Sequence, residues 1–536
     1  MQVTIGQALL VALAAYLGSS TWFLGVGYYT VYRPLVAGTI VGAILGDWRM
    51  GMQLGAAINA IYLGFISTGG TLPGDLIFAG YIGTALGIAG GLDAAAAVAL
   101  VVPLGLLGSG IWFFRMAADS LFVHWADAFA RKGDARGVGL VNLLPGQLLM
   151  LVLYGVPAFL VVYNASSGVQ AVMSLVPPKL VEGLAMVGGM LPAVGIGMLL
   201  SYVATWRVMP FFLMGFLAVV YLGLPVFVVA LFGLAGGVLH IQYAGHLSRQ
   251  REAEAATSDA RQRESTERLL SRNDLLGAWF RWLTFSHSCY NYERMQGLGF
   301  AHGMSPIIRK LYSTKEQIAA ALQRHLLYFN TEPNVGAVVH GVAAAMEEER
   351  ALGNTELTDE AINSVKTGLM GPLAGIGDSL TQGLITPILL TLGIGLAQDG
   401  LLLGPILYVV LITAAIVGIS YVSWMQGYRW GKVAVERILR AGLLHDIMEA
   451  SSAVAMSVVG ALTATVVSLS TKAIIRIGPQ QVRLQADIFD KILKGLLPLT
   501  LTMVVWWLLR KRSPLTVIVW VFVFGLLGTW VGLLGW

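Results

Sequence analysis

One acidic residue, Asp378, interrupts a long apolar part of the sequence, in a stretch rich in glycine. The stretch from Lys366 to Gly383 reads KTGLMGPLAGIGDSLTQG and carries five glycines and one proline. A carboxylate in or at the edge of a membrane is costly unless it is paired, which makes it a functional candidate. Glycine and proline free backbone groups that lipid cannot satisfy, so we predict that the segment faces protein or a water-filled cavity, as broken helices at binding sites do. A tightly packed helix contact with an interfacial aspartate is the alternative.

A second set of small and polar residues recurs at helical spacing near the start of the chain. Gly51, Gly55, Asn59 and Tyr62 fall on one predicted helix face. Small residues let a partner helix approach closely, and Asn59 then offers an amide in a low-dielectric setting.

A polar loop follows this predicted helix. It contains Ser67 and Thr68, with Asp75 a short distance beyond. Hydroxyls, an amide and bare backbone are what a neutral polyol such as a sugar needs. Hydrogen bonds that only join helices are the alternative.

Histidine and cysteine residues suggest no further chemistry. The single cysteine, Cys289, excludes an internal disulfide and a cysteine-based metal cluster. The eight histidines are scattered and form no metal-ligand spacing. Neither a phosphate-binding Walker loop nor a nucleophile with a nearby base is apparent. The sequence therefore predicts no catalytic residue, no metal and no cofactor.

Composition identifies the elements that must position these residues. The 536 residues are 56% hydrophobic and only 12% charged, whereas a soluble domain is nearer to a quarter charged. Lysine and arginine cluster in short loops and the net charge is only +5, which suits positive-inside topology better than nucleic-acid binding. We predict an all-α, multi-pass membrane protein with broken or re-entrant helices, because runs such as 35–45 are too short to cross unaided.

A charged stretch divides the chain into two membrane domains. Between residues 246 and 274, six arginines alternate with six acidic residues and no apolar stripe is present. The predicted units are residues 1–245, a linker at 246–273, and residues 274–536. The arginines of the linker predict that the linker faces the cytoplasm, and Arg510-Lys511-Arg512 predicts the same for the loop that contains it.

The second domain begins with amphipathic helices at 281–365, and its membrane core covers 366–536. Ser313 and Glu316 read as a capping box, followed by an apolar face that includes Leu322 and Phe329. The residues from Asn330 to Pro333 are predicted to form the turn that ends this helix.

In the first domain, residues 115–137 mix basic and acidic side chains, which predicts an amphipathic surface segment.

The two domains resemble the membrane components of mannose-family sugar phosphotransferase permeases. The first resembles component IIC, and its motifs are Arg33-Pro34-Leu35, GAILGD at 42–47, the 51–70 block and MPFF at 209–212. The second resembles component IID, with NYERMQGLGF at 291–300, HLLYFNTEP at 325–333, EEER at 347–350 and GLMGPLAGIGD at 368–378. In the family the two components are usually separate chains, whereas the linker here joins them.

The resemblance implies a mechanism and a set of partners. The two components are expected to have opposite orientations, to bind sugar at their interface and to carry it inward by an elevator-like motion. It also implies a homotrimer in the bacterial cytoplasmic (inner) membrane. Phosphate would come from phosphorylated IIB, supplied by IIA, so the phosphoryl-carrying residues would lie on partner subunits.

Two departures from the family pattern affect the substrate. The mannose-type acidic cluster before the Arg-Pro pair is missing from residues 23–30, and Asn59 stands where a glutamate is usual. A carboxylate only accepts hydrogen bonds, whereas an amide also donates. The departures put mannose and glucose in question, and they leave an amino sugar, another hexose or a modified sugar open.

We hypothesise a sugar site built from both domains. Its predicted ligands are Asn59, Ser67, Thr68, Asp75, Asn291, Glu293, Gln296 and Asp378. For Glu293 the alternative is a local ion pair with Arg294. The alternative function is an ion-coupled secondary sugar transporter without phosphorylation, in which Asp378 or Asp75 would hold the coupling ion.

Overall fold

The computed structural model describes most of the chain as helices. The described residues are 2–20, 24–64, 74–92, 94–165, 178–204, 206–225, short pieces between 228 and 239, 268–355, 357–431, 443–477, 480–512 and 514–535. Ser67 and Thr68 lie outside them, as does most of the predicted linker. Within the described part the only sheet is a two-stranded hairpin, so the prediction of an all-α membrane protein is confirmed. The opposite orientation of the two domains stays a prediction.

The first half of the chain contributes eleven described helices. They are α1 (Ile5–Ser19), α2 (Leu24–Gly27), α3 (Pro34–Leu45), α4 (Trp48–Ile61), α5 (Gly83–Gly90), α6 (Ala94–Arg131), α7 (Ala135–Met150), α8 (Val156–Tyr163), α9 (Pro178–Met190), α10 (Pro192–Val203) and α11 (Met209–Leu222). Two π-helical segments, Phe78–Ile82 and Leu151–Gly155, lead into α5 and α8.

The second half contributes the remaining elements. They are α12 (Arg272–Phe285), α13 (Gly297–Leu311), α14 (Lys315–His325), α15 (Ala337–Ala351), α16 (Asp359–Gly377), α17 (Thr386–Gln398), α18 (Leu403–Trp430), α19 (Leu443–Val466), β1 (Ile474–Ile477), β2 (Gln480–Arg483), α20 (Asp490–Ile492), α21 (Leu496–Leu509) and α22 (Pro514–Trp530). The strands pair antiparallel, with Ile474 opposite Arg483. Further π-helical segments occupy Asp378–Ile385 and Leu484–Phe489.

Several helices in the described residues are long and apolar enough to cross a membrane. Three continuous stretches qualify, at 135–163, 359–398 and 403–429, and a pair bent by 74° at 484–492 and 496–509 is a fourth candidate. Shorter apolar helices such as α1, α3 and α11 accompany them. These lengths and compositions agree with a multi-pass membrane protein.

Local sequence signals set many of the helix starts. Thr314 caps α14 and forms a capping box with Gln317. The predicted box of Ser313 and Glu316 is therefore wrong by one residue, because the extended backbone that a cap requires falls at Thr314. The apolar face behind the cap is confirmed, since Leu322 and Phe329 are fully buried.

The short helices α3 and α4 pack against each other through glycine. A Cβ on Gly38 would lie 2.5 Å from the carbonyl oxygen of Gly51, and one on Gly42 would lie 2.8 Å from the Cα of Gly51. The prediction that Gly51 and Gly55 admit a partner helix is thus confirmed. Neither α3 nor α4 is long enough to span a bilayer, which needs about 20 residues, so the two short helices reinforce one another as a pair.

Two hydrophobic cores organise the described residues, and each draws on both halves of the chain. The first core joins α1, α3–α5 and α8–α11 with α17, α19, α21 and α22. The second core joins the end of α6 and α7 with α12–α15, together with Leu373 and Trp424. Packing therefore crosses the boundary that the charged linker marks in the sequence.

Four helical stretches run from one core into the other. They are α6, α7 with α8, α16 with α17, and α18. In two of them a π-helical segment falls at the crossing: Leu151–Gly155 lies between Val141 and Ala158, and Asp378–Ile385 begins just after Leu373. Leu380, in the second of these segments, packs against both cores.

The start of the segment at 115–137 does not lie on the surface as predicted. Arg115 and Asp119 are fully buried and form an ion pair of 3.1 Å between Nε and Oδ2. Arg115 also donates to the backbone carbonyls of His287 and Ser288, at 3.0 and 3.2 Å. These partners come from the other half of the chain, so charge alternation alone could not reveal the burial.

Candidate functional site

A cluster of polar side chains lies between the two cores, on the π-helical segment that begins at Asp378. π-Helical turns often occur at functional sites. Asp378 Oδ1 accepts a hydrogen bond from the Gln382 amide at 2.7 Å. The Gln382 oxygen accepts one from the Tyr28 hydroxyl at 3.0 Å. Asp378 in the second half is thus linked through Gln382 to Tyr28 in the first.

Glu332 adds a second carboxylate to this cluster. It is 2% exposed, and its Oε1 lies 3.2 Å from the Tyr29 hydroxyl and 3.3 Å from the Thr381 hydroxyl. Three further donors come from the turn itself: the backbone amides of Asn334 (3.0 Å) and Val335 (2.7 Å) and the side-chain amide of Asn334 (2.7 Å). Sequence reasoning interpreted this stretch only as a turn. The turn directs the Glu332 carboxylate toward Tyr29 and Thr381, into the region between the two cores, which is called the seam below.

Glu332 lies outside the candidate membrane spans. Burial raises the pKa of its carboxyl, and the hydrogen bonds from Val335, Asn334 and Tyr29 act in the opposite direction. The carboxylates of Glu332 and Asp378 thus belong to one cluster whose other members are hydroxyls and amides.

The first-half wall of the cluster is aromatic. Tyr28 stacks on Tyr32 with ring centroids 5.3 Å apart, and its ring lies 4.8 Å from the guanidinium of Arg33. The Tyr408 hydroxyl donates to the backbone carbonyl of Tyr29, which fixes the turn after α2. Sequence reasoning used only Arg33-Pro34-Leu35 of this stretch, as a family motif, and did not predict these tyrosines as ligands.

The side chain of Gln296 forms two hydrogen bonds with the backbone of Thr331, next to Glu332. It is buried, its amide nitrogen donates to the Thr331 carbonyl at 2.7 Å, and its oxygen accepts from the Thr331 amide at 3.1 Å. The same nitrogen lies 3.0 Å from Nε2 of His287. Burial, with Arg115 nearby, lowers the pKa of His287 to about 3, so this ring is neutral at physiological pH. Gln296 therefore holds the backbone next to Glu332.

Asn291 and Glu293 lie on the turn that precedes α13. Asn291 is buried, and its oxygen accepts from the backbone amides of Glu293 and Arg294 at 3.1 and 2.9 Å. Met295, at the end of this turn, has a positive φ of 51°. Arg294 makes a two-pronged bond to Asp127 of α6, at 2.7 and 2.8 Å, and lies 3.7 Å from Glu293.

Asn59 and Asp75 lie within the first core. Asn59 Oδ1 accepts from the Leu35 amide in the first turn of α3 at 3.1 Å, while its buried Nδ2 has no hydrogen-bond partner among the described residues. Asp75 accepts from the Tyr154 hydroxyl at 2.6 Å and from two backbone amides, those of Ile77 and Phe78. Asp75 thus caps the helix that follows it.

Of the predicted ligands, Asp378 lies in the cluster at the seam, and Gln296 supports it from behind. The hydrogen bonds and ion pairs of Asn59, Asp75, Asn291 and Glu293 go to residues outside this cluster. The cluster also contains five residues that sequence reasoning did not select: Tyr28, Tyr29, Glu332, Thr381 and Gln382. The only sequence signal for Thr381 and Gln382 was their place in the glycine-rich stretch around Asp378. Among the described residues no group of three metal-binding side chains occurs.

Comparison with known proteins relates each half to one family. Residues 269–534 match the profile of the mannose/fructose/sorbose family IID component of the phosphotransferase system. Residues 5–239 match the profile of the sorbose-specific IIC component.

Individual relatives agree with both profiles. The mannose-specific EIID component of Escherichia coli K12 is 39% identical over 51% of this chain and 97% of that protein. The N-acetylgalactosamine permease IIC component 1 of the same organism is 34% identical over 41% of this chain and 82% of that protein. A solved structure of the mannose transporter ManYZ with microcin E492 matches 50% of this chain and 100% of that chain, at 40% identity and a TM-score of 0.30. The chain therefore belongs to the mannose/fructose/sorbose family of phosphotransferase-system sugar permeases, with a IIC and a IID component joined in one inner-membrane polypeptide.

Proposed function

We propose that this permease binds its sugar at the seam between the two cores and passes it inward for phosphorylation by a separate, phosphorylated IIB. The observation that carries the proposal is the hydrogen-bond chain from Tyr28 through Gln382 to Asp378, which joins both halves at one point. A hydroxyl, an amide and a carboxylate together offer donors and acceptors for neighbouring sugar hydroxyls.

The two carboxylates have different roles in this proposal. Glu332 is almost fully buried and already accepts from three amide N–H groups, so it positions the site. Asp378 is partly exposed, and Gln382 is its one hydrogen-bond partner among the described residues. Its remaining acceptor capacity is what a sugar hydroxyl would use.

Asn59 remains a proposed sugar ligand because its buried Nδ2 donor has no hydrogen-bond partner among the described residues. A buried amide nitrogen without a hydrogen bond is costly, and a ligand oxygen would remove that cost. Ser67 and Thr68 remain predicted ligands.

Phosphate is proposed to come from outside the chain. His302, His325 and His340 are at most 6% exposed, so a phosphoryl donor has no access to these three, whereas His124 is exposed and lies 3.4 Å from Glu293. This supports a division of labour in which the permease holds the sugar and IIB, recharged by IIA, supplies the phosphoryl group. Positioning and charge stabilisation are the main demands of that reaction.

An elevator-like motion is proposed for the inward step. The two cores are joined by four helical stretches, and two of these carry π-helical segments at the crossing. Such segments have irregular backbone hydrogen bonding and are suited to bend. The homotrimer remains a prediction from the family resemblance.

Transport into vesicles that contain this chain tests the function. We would measure uptake of a panel of hexoses and amino sugars with phosphorylated IIB, with unphosphorylated IIB and with no IIB. Sugar phosphate that forms only with phosphorylated IIB supports group translocation, and the preferred sugar identifies the substrate. Free sugar that accumulates on an ion gradient without IIB would instead establish the secondary transporter.

Two variants test the site in the same vesicles. Asp378→Asn, which replaces an acceptor oxygen with a donor, and Asn59→Ala, which removes a donor, should both weaken sugar binding. Unchanged affinity in both variants would refute a site at this seam.

A further inference from the structure

A basic pocket lies at the C-terminal end of α18, beside the second core, and shares no lining residue with the polar cluster around Asp378. Its volume is about 440 Å³. It lies between the start of α12 and the last turns of α18. Its lining residues are Arg268, Leu270, Arg272, Leu275, Tyr421, Val422, Met425, Gln426, Tyr428 and Arg429.

The pocket carries three positive charges and no acidic lining residue. Arg268, Arg272 and Arg429 are exposed, and none of them forms an ion pair within the part of the chain that the structure describes. Arg272 donates to the Tyr421 hydroxyl at 3.2 Å, and the guanidinium of Arg268 lies 5.5 Å from the centre of the Tyr428 ring. The tyrosines thus hold two arginines at the rim without neutralising them.

Both oxygens of the nearby Glu348 carboxylate already accept hydrogen bonds from the protein. Its Oε1 accepts from the backbone amides of Leu269 and Leu270, at 2.6 and 2.7 Å. Its Oε2 accepts from the Tyr428 hydroxyl at 2.5 Å. Glu348 is 7% exposed, so its bonds shape the wall of the pocket while the arginine charges remain open to solvent.

The position of the pocket along α18 places it at the depth of lipid headgroups. The candidate span from Leu403 to Arg429 has 27 residues, or roughly 40 Å at the helical rise of about 1.5 Å per residue. That exceeds the hydrocarbon thickness of about 30 Å, so the end at Arg429 reaches the polar interface. Only 22% of the residues in the most apolar part of this helix are buried, and Val422 at the pocket edge is 54% exposed. The outward apolar face of α18 therefore continues into the basic pocket.

We propose that this pocket binds the phosphate group of an anionic phospholipid whose acyl chains lie along the outer face of α18. A phosphodiester accepts charge-assisted hydrogen bonds from arginine, and basic pockets at the ends of membrane helices suit such headgroups. The proposal requires neither the sugar site nor phosphorylation. The bound lipid joins α12 to α18, which both pack in the second core.

The test is the thermal stability of the purified full-length chain in neutral detergent, with phosphatidylglycerol or phosphatidylcholine added at increasing concentrations. The double variant R272Q/R429Q removes two charges from the pocket. R131Q/K132Q is the matched control, because it removes two exposed charges at the end of α6 that have no ion-pair partner among the described residues. Inorganic phosphate and glycerol 3-phosphate provide the lipid-free arm.

Phosphatidylglycerol should stabilise the unmodified chain and the control variant at the same concentrations, and phosphatidylcholine should not. The pocket variant should require about fivefold more phosphatidylglycerol for each arginine removed, or about 25-fold in total. An equal response of the pocket and control variants would overturn the site. Equal protection by the soluble phosphates at the same concentrations would overturn the assignment to lipid.

Discussion

Replacing Glu332 and Asp378 one at a time separates a positioning carboxylate from a ligand-binding one. In Glu332→Gln the amide can orient its oxygen toward the backbone amides of Asn334 and Val335, which keeps both bonds. Its new nitrogen then faces the Asn334 side chain. That side chain can turn to accept, because its own Oδ1 is buried without a partner in the described structure. The hydroxyls of Tyr29 and Thr381, which face the same carboxylate oxygen, must also turn to accept from the new nitrogen. The charge on the acceptor is lost.

The structure sets the size of each effect. Charged hydrogen bonds are about twice as strong as neutral ones, so two weakened backbone bonds in Glu332→Gln should cost about 2 kcal/mol of unfolding free energy. Glu332→Ala leaves those amides without an acceptor and should cost about 4 kcal/mol. Asp378→Asn keeps an oxygen for Gln382 at a partly exposed position, so its cost should be about 0.5 kcal/mol. Its sugar affinity, however, should fall about tenfold.

Thermal unfolding in detergent, followed by tryptophan fluorescence, measures the stability order, and equilibrium sugar binding measures the affinities. Glu349→Gln is the matched control, since Glu349 is exposed on α15. We expect stability to fall in the order Asp378→Asn, Glu332→Gln, Glu332→Ala. The division of roles would be refuted if Asp378→Asn destabilised the protein as much as Glu332→Gln. It would also fail if Glu332→Gln kept full stability and lost sugar binding.

Three further outcomes are expected. Tyr28→Phe removes the donor to Gln382 and should weaken sugar binding about fivefold with little change in thermal unfolding. Gly38→Ala forces a Cβ to within 2.5 Å of backbone and should destabilise the α3–α4 pair by about 2 kcal/mol, whereas Gly6→Ala, with open space around it, should not; unfolding midpoints distinguish them. Burial lowers the pKa of His325 from 6.5 to about 4, so the unfolded chain binds a proton that the folded chain resists. The contribution of His325 to stability is therefore full above about pH 6.5 and is lost as the pH drops toward about 4. His287, whose pKa is also lowered, adds to the same loss, so His325→Gln, which keeps a donor to Glu347, should make the acid side of the profile less steep in unfolding measurements.

The membrane class and many local elements could be predicted from the sequence, because they depend on composition and short-range spacing. Composition alone indicates a multi-pass protein, since a soluble domain typically carries about twice this fraction of charged residues. The glycines of α4 and the apolar face of α14 are periodic patterns that a single helix displays by itself. The family motifs around Arg33 and Asn291 identified the IIC and IID components for the same reason, since each motif is a continuous string of residues.

The site depended on the tertiary structure. Tyr29 and Glu332 are 303 positions apart, and no local pattern links them. Glu332 was predicted only as part of a turn, and its carboxylate reaches the seam because Gln296 and Asn334 hold that turn in place. Local sequence sets which helices form, whereas buried polar groups must find partners wherever packing brings them, and only the folded chain decides those partners.

The division of the molecule was likewise decided by packing. The charged linker marks two halves in the sequence, yet each hydrophobic core takes helices from both. Arg115 and Asp119 illustrate the reason, since charges that read as a surface segment are buried where carbonyls of the other half accept their hydrogen bonds. Sequence determines how apolar or charged a helix is, but the surface it meets determines whether that charge is buried.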